Sequence, residues 1–545
     1  MFEDLSAAKS RGTVAESLAR LTMRFSRAAL FSCVLALPLP ALAADAANQW
    51  WADVTALAGD DMKGRLTGSA DYLRAADYVI GRLKAEGLSP AGVKGFLQPV
   101  TFEQQVIDQD KSSASLVAVD GSVMPIKVGD QMLIAAGGGP RPDAVDAPLV
   151  FIGYGLHLPK QGYDDFKDVD LKGKIAVVIS GGPADISGAI KSNARFERNE
   201  ELAKRGALGV ISLVTPKQVE ILWERQKLLA RGPGMYLADA TLRDTKHPFF
   251  SATFDPAQAD MLFHGSGQDF AALSDLADTS KPVTGFLLPW RLKAQIAATH
   301  SQVESPNIVA KLEGSDSTLK KEYVGVSAHL DHLGMGAAVK GDTIYNGAMD
   351  DASGVAAVLD IAHRLKAGPR PKRSILFLLF TAEEKGLLGS NYYARRPTVP
   401  KGSLVADLNF DMPLPLWPLK SVYAPGQDES SLGEDLRAVA TEQGIVTVPD
   451  PLPDRNVFIR TDQFSFVRQG VPALVFKFGF AKDTPEFAIE HDWRANRYHS
   501  PSDDLEQPML RDEAVKLDAL VAGIAARVAN AADRPQWKAD SIFKK

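Results

Sequence analysis

Five side chains in this sequence of 545 residues have the chemistry of a metal centre: His329, Asp350, Glu384, Asp411 and His499. Two imidazoles and three carboxylates are N and O donors of the kind zinc accepts. Five exceed the needs of one tetrahedral ion. They suit two ions bridged by a shared carboxylate, an arrangement that clamps the attacking and leaving oxygens of a hydrolytic reaction. Asp331, two residues beyond His329, is placed to orient an imidazole. Glu383, beside Glu384 but pointing differently, is placed to take a proton from metal-activated water. Taken singly, each group has a plainer reading. Asp350 could be a helix N-cap. Glu383 and Glu384 could mark a helix N-terminus, where the dipole favours acids. A lone histidine is most often a surface or core residue, and on that ground His332 is left outside the set.

The elements that must position these groups are legible in the apolar runs. Strands are expected at 323–328, 375–381, 404–410 and 473–478. The first three are followed at once by His329-Leu330-Asp331, by Glu383-Glu384 and by Asp411. In open α/β sheets ligands bind beyond the carboxyl ends of the strands. Asp350 stands just before Val355, Val358, Leu359, Ala362 and Leu365, whose spacing is helical. Alternating strands and amphipathic helices from about residue 295 onward predict an α/β fold, a mixed and mostly parallel sheet with helices on both faces. Residues 49–95 look helical, with Leu57, Met62, Leu66, Tyr72, Ala76, Val79, Ile80 and Leu83 as the apolar positions. Residues from about 100 to 290 are rich in short β runs and Gly/Pro turns, among them 149–154, 174–179 and 209–214.

Composition excludes several classes. Apolar residues make up 45% and charged residues 23% of the chain, which rules out wholesale disorder. One cysteine excludes an internal disulfide framework and any Cys-based zinc or iron–sulfur site. A net charge of −6 argues against a nucleic-acid partner. Residues 23–43 read as an export leader: Arg24 and Arg27, a short apolar run, then Ala41-Leu42-Ala43 as a cleavage site. Cleavage after Ala43 removes five Lys/Arg, three acids and Cys33, leaving a net charge of −8 and no cysteine. The expected destination is the periplasm or the exterior, without stable membrane insertion, because the apolar run is too short to span a bilayer.

The motifs Ser327-Ala-His-Leu-Asp-His-Leu-Gly334, Asp350-Asp-Ala-Ser-Gly-Val-Ala-Ala357, Phe380-Thr-Ala-Glu-Glu-Lys-Gly386, Asn409-Phe-Asp-Met412 and Tyr498-His-Ser-Pro-Ser-Asp503 occur in this order. Together they resemble the M28 family of co-catalytic zinc aminopeptidases, over about residues 50–95 and 295–530. Gly64-Arg-Leu-Thr-Gly-Ser69 is similar to that family's N-terminal stretch. Gly153-Tyr-Gly155, Asp170-Leu-Lys-Gly-Lys-Ile175 and Lys204-Arg-Gly-Ala-Leu-Gly209 resemble an inserted protease-associated (PA) domain. The implied division is leader 1–43, N-terminal part of the peptidase 44–120, PA-like insert 121–290 and main peptidase 291–545.

The resemblance implies two Zn²⁺ ions per chain and peptide substrates cleaved at the N-terminus. Asp350 would bridge both ions, His329 and Asp411 completing one site and Glu384 and His499 the other. Glu383 would be the general base and Asp331 would hold His329. Departures are Met349, Met412-Pro413, and Thr461-Asp462-Gln463 where the family has Ser-Asp-His; the last carries no assigned role. Rival readings are a glutaminyl cyclase with one zinc, an M20-type deacylase or carboxypeptidase, and a non-enzymatic receptor on the same fold. No Gly-x-Ser-x-Gly or His-Glu-x-x-His motif supports a serine hydrolase or a zincin.

Overall fold

The run Ile375-Leu-Phe-Leu-Leu-Phe380 is apolar at every position because both of its faces are covered. Ile375, Phe377 and Leu379 point into one core, and Leu376, Leu378 and Phe380 into another. In the computed structural model, which describes residues 39–455 and 457–544, this strand is central to the first of two eight-stranded sheets. Two units are separable, Met1–Leu42 and Ala43–Lys545, and the second holds both sheets. The expected leader, residues 23–43, lies outside the described residues apart from the start of a helix at Leu39. Among the described residues no helix is long and apolar enough to cross a membrane.

The first sheet comprises β1 (Leu97–Ile107), β2 (Gly234–Leu237), β3 (Ala298–Leu312), β4 (Tyr323–His329), β5 (Ser374–Phe380), β6 (Leu404–Asn409) and β7 (Ala473–Val475), with the two-residue strand Ser89–Pro90 pairing on β3 as its eighth. Their order is β2-β1-β3-β5-β4-β6-β7. The β5-β4-β6-β7 half is parallel, and β2, β1 and β3 join it antiparallel. The sheet is therefore mixed, with the expected parallel character confined to the half that carries the site. On one face pack α1 (Leu39–Ala58), α2 (Ala70–Ala85), α3 (Ser353–Ala367), α5 (Leu432–Glu442) and α8 (Arg511–Asn530). The other face takes the shorter α4 (Leu388–Arg395) and α6 (Gln463–Val467), through Tyr393 and Phe466. A further helix, α7 (Pro485–Asn496), lies before the His499 segment. The stretch 49–95 is not one helix. It breaks at Gly59–Ser69, where Lys63 and Gly64 leave helical geometry and Leu66 bridges His332.

A second sheet of eight strands has its own core. Its strands run from Ser113 to Gln295, wider on both sides than 121–290. Between them the chain returns once to the first sheet, as β2, which pairs antiparallel with β1. The Phe377→Ala substitution, at the centre of β5, is expected to cost about 3–5 kcal/mol in urea unfolding, because it opens a cavity in a fully buried core. A loss below about 1 kcal/mol would contradict this packing.

Candidate metal centre

The site forms at the carboxyl ends of β4, β5 and β6, as expected for a parallel sheet. His329 ends β4, Glu383 and Glu384 follow β5, and Asp411 follows β6. Asp350 is carried by the tight segment before α3. Gly347 turns the chain there at φ +64°, and a Cβ would lie 2.2 Å from the Asp350 carbonyl oxygen and 2.5 Å from His332 Cγ, so the position requires glycine. The Asp350–Asp351 peptide is cis. The amides of Met349 and Asp350 donate to the Asp503 carboxylate at 2.8 and 3.0 Å. Asp351 Oδ1 accepts from the Gly354 and Met412 amides, each at 3.1 Å. The cap considered for Asp350 is thus made by its neighbour, which leaves the Asp350 carboxylate free to face the imidazoles.

Arg65 explains the Gly64–Ser69 motif. Its buried guanidinium donates to the carbonyls of Leu57 (2.6 Å), Leu330 (2.9 Å), Asn346 (2.7 Å) and Gly347 (2.9 Å). Thr67 Oγ1 donates to Asp331 Oδ2 at 2.9 Å. One short stretch thereby ties the His329 loop to the Asp350 loop. From the second-sheet region, Arg225 donates to the carbonyls of Ala495 (2.6 Å) and Tyr498 (2.8 Å), just before His499. The Tyr498 ring then stacks on His499, with centroids 3.9 Å apart.

All five expected donors come together. His329 Nε2 lies 3.2 Å from Asp350 Oδ1, and His499 Nε2 lies 3.3 Å from both Asp350 Oδ2 and Glu384 Oε2. His329, Asp350 and Asp411 bring one donor atom each within 4.8 Å of one another, and so do His332, Asp350 and Glu384. Asp350 belongs to both groups. His332 therefore enters a site from which the sequence reading left it out: it is fully buried, with Nδ1 2.7 Å from Glu384 Oε1. Its signal was its place in His329-Leu-Asp-His332, one loop beyond the same strand end. Asp331 differs from expectation in its partner. His329 Nδ1 donates to the Asp331 carbonyl oxygen at 2.9 Å, while the Asp331 carboxylate lies 4.0 Å away and accepts instead from Thr67 and, at 3.1 Å, from the Glu383 amide. The carbonyl fixes the Nδ1 proton and leaves Nε2 as the donor to a metal. Lys477, unforeseen although a lysine inside an apolar strand run is unusual, is buried against Asp411. Its ammonium donates to the carbonyls of Asp411 and Met412.

These residues fit a bound cation. His329 Nε2, both ring nitrogens of His332, Glu384 Oε1 and Asp411 Oδ1 are buried and make no hydrogen bond. His332 Nδ1 and Glu384 Oε1 approach to 2.7 Å without bonding geometry, which is where two lone pairs share a positive ion. Burial would push Asp350 up, but the His329 and His499 imidazoles outweigh it and hold its carboxyl well below the usual range. Glu384 is held down in the same way, by His499 and His332 against its burial. Glu383 goes the other way. Burial, reinforced by Glu384, Asp411 and Asp462, raises it well above the usual range despite His329. Ala382 and Met412, on either side of the ligand cluster, and His499 itself hold positive φ of 56°, 49° and 52°, backbone strain of the sort that collects at functional sites.

Residues 307–523 match peptidase family M28. This segment is an M28 peptidase domain. The chain is 38% identical over 111 residues to a probable zinc metalloprotease of Pyrenophora tritici-repentis, covering 20% of this chain and 24% of that protein. It is 24% identical over 350 residues to a probable lipoprotein aminopeptidase of Mycobacterium tuberculosis, covering 64% of this chain and 54% of that one. The chain thus spans a quarter to about half the length of these curated relatives. The fold is that of a solved aminopeptidase from an Aneurinibacillus species, with a TM-score of 0.52 at 19% identity over 90% of this chain and 95% of that one.

The M28 domain's histidines set a pH dependence. Burial alone would lower His329 and His499, but Glu383, Asp350 and Asp351 raise His329, and Tyr498, Glu384 and Asp350 raise His499, well above the usual imidazole range. At neutral pH the metal-free centre therefore holds protons that a cation must displace. The ion pairs they make stabilise the metal-free fold fully in acid and are lost as pH rises through the raised values. Zinc affinity is accordingly expected to rise with pH as these imidazoles lose their protons, with proton release measurable by calorimetry in buffers of different ionisation enthalpy. Binding that is independent of pH and releases no protons would contradict this.

Proposed function

We propose that this chain is an exported dinuclear zinc aminopeptidase that removes N-terminal residues from peptides. The observation that supports it most is the Asp350 carboxylate shared between two donor groups. One ion would be held by His329, Asp350 and Asp411, the other by Asp350, Glu384 and His499, with His332 beside Glu384. Zinc bound there supplies Lewis acidity, polarising the scissile carbonyl and acidifying the attacking water.

The chain's own groups do the rest. Glu383 accepts the proton of the attacking water at its carboxylate and returns it to the nitrogen of the leaving amine. The Asp331 carboxylate positions Glu383 by holding its backbone amide. Lys477 offsets the negative charge around Asp411. A substrate's free α-ammonium is drawn to the same carboxylates, which selects an N-terminal residue. The second sheet, taken as a PA-like insert, narrows the approach to the cleft and favours peptides over folded proteins. Export rests on the leader-like residues 23–43.

The test is zinc content together with hydrolysis of aminoacyl and dipeptidyl p-nitroanilides. The wild type is expected to hold two zincs and to cleave free-amine substrates. Glu383→Ala is expected to keep both ions and to lose about 10²- to 10⁴-fold in kcat. One zinc with cyclisation of N-terminal glutamine would replace this reading with a cyclase, and two zincs without turnover would discard the substrate class.

A further inference from the structure

Arg455, Arg460 and Arg494 line the same cleft as Glu383, Asp411 and His499. Arg455 and Arg460 lie on the irregular segment between α5 and α6, and Arg494 on α7. Among the described residues, two carboxylates accept hydrogen bonds from them. Glu490 accepts from Arg455 and, at 3.1 Å, from Arg494 Nε. Glu220, carried over from the second-sheet region, accepts from Arg460 Nη1 at 3.1 Å and lies 4.0 Å from Arg455 Nε. Burial raises Glu220, but the three guanidiniums outweigh it and hold its carboxyl below the usual range. Three guanidiniums thus stand together on one wall of the cleft.

The metal centre does not need this charge. Lys477 and cations held by these ligands would neutralise its carboxylates, and the Lys477 ammonium is already taken up by the carbonyls of Asp411 and Met412. The planar guanidinium fork matches a carboxylate better than any other anion a peptide offers. Glu220 shows the fit from within the chain, since a carboxylate already rests on Arg460. A peptide whose reacting bond lies at the metal ligands must lay its remaining atoms against the walls of this cleft.

We propose that Arg455, Arg460 and Arg494 bind a substrate carboxylate next to the scissile bond, which makes short acidic peptides the preferred class. The carboxylate is either the free C-terminus of a di- or tripeptide or an Asp or Glu side chain following the cleaved bond. The proposal rests on the peptidase reading above.

Two substrate pairs test it on the zinc-loaded protein: Leu-Ala against Leu-Ala-amide, and Leu-Glu-amide against Leu-Gln-amide. The carboxylate member of at least one pair is expected to have a KM lower by about tenfold, the worth of one charged hydrogen bond. The first pair reports a terminal carboxylate and the second a side chain. In Arg455→Gln and Arg460→Gln the ratio is expected to fall toward one, an effect on KM more than on kcat. Calorimetric binding of uncleaved D-Leu-D-Glu against D-Leu-D-Gln-amide reads the same preference without turnover. A binding preference without cleavage keeps this proposal and overturns the peptidase reading. Cleavage of both members of both pairs with equal constants does the reverse. Ratios unchanged in both arginine variants overturn the proposal as well.

Discussion

The Asp350 carboxylate lies between two imidazoles, 3.2 Å from His329 and 3.3 Å from His499, with Glu384, Asp411 and Glu383 gathered around it. Such a concentration of buried carboxylates is costly unless positive charge is shared among them. Much of the domain's polar structure answers that constraint. Arg65 fixes the two loops, Asp503 holds the amides ahead of Asp350, Asp351 caps α3, and Lys477 stands behind Asp411. The apolar strand β5 and its two cores supply the rigid edge from which Glu383 and Glu384 project.

The sequence was legible wherever a pattern was local. The wholly apolar 375–380 run, the helical spacing after Asp350 and the acids at three strand ends predicted the parallel half of the sheet and the five donors. What it concealed were long-range contacts. His332 looks like any lone histidine until the fold brings it to Glu384, and Asp331 reads as a partner of His329 until the Glu383 amide takes its carboxylate. Arg65 bonds to carbonyls some 280 positions away, which no spacing can reveal. The same holds for the antiparallel half of the sheet. It rests on the pairing of β1 with β3, about 200 positions apart, and is edged by β2, a four-residue strand that interrupts the second sheet's sequence.

The second sheet is more than an appendage. Through Arg225 it braces the segment that delivers His499, and through Glu220 it sets a carboxylate against the arginine wall. Site geometry and cleft chemistry thus both depend on residues that lie outside 307–523. The cleft's charges are segregated: anionic groups gather at the candidate metal centre and guanidiniums line the wall beside it.

The most direct measurement is anomalous diffraction at the zinc edge from crystals of the zinc-loaded chain. Two peaks about 3.5–4 Å apart, both within bonding distance of the Asp350 carboxylate, are predicted. A single peak, or two peaks that do not share Asp350, would contradict the account.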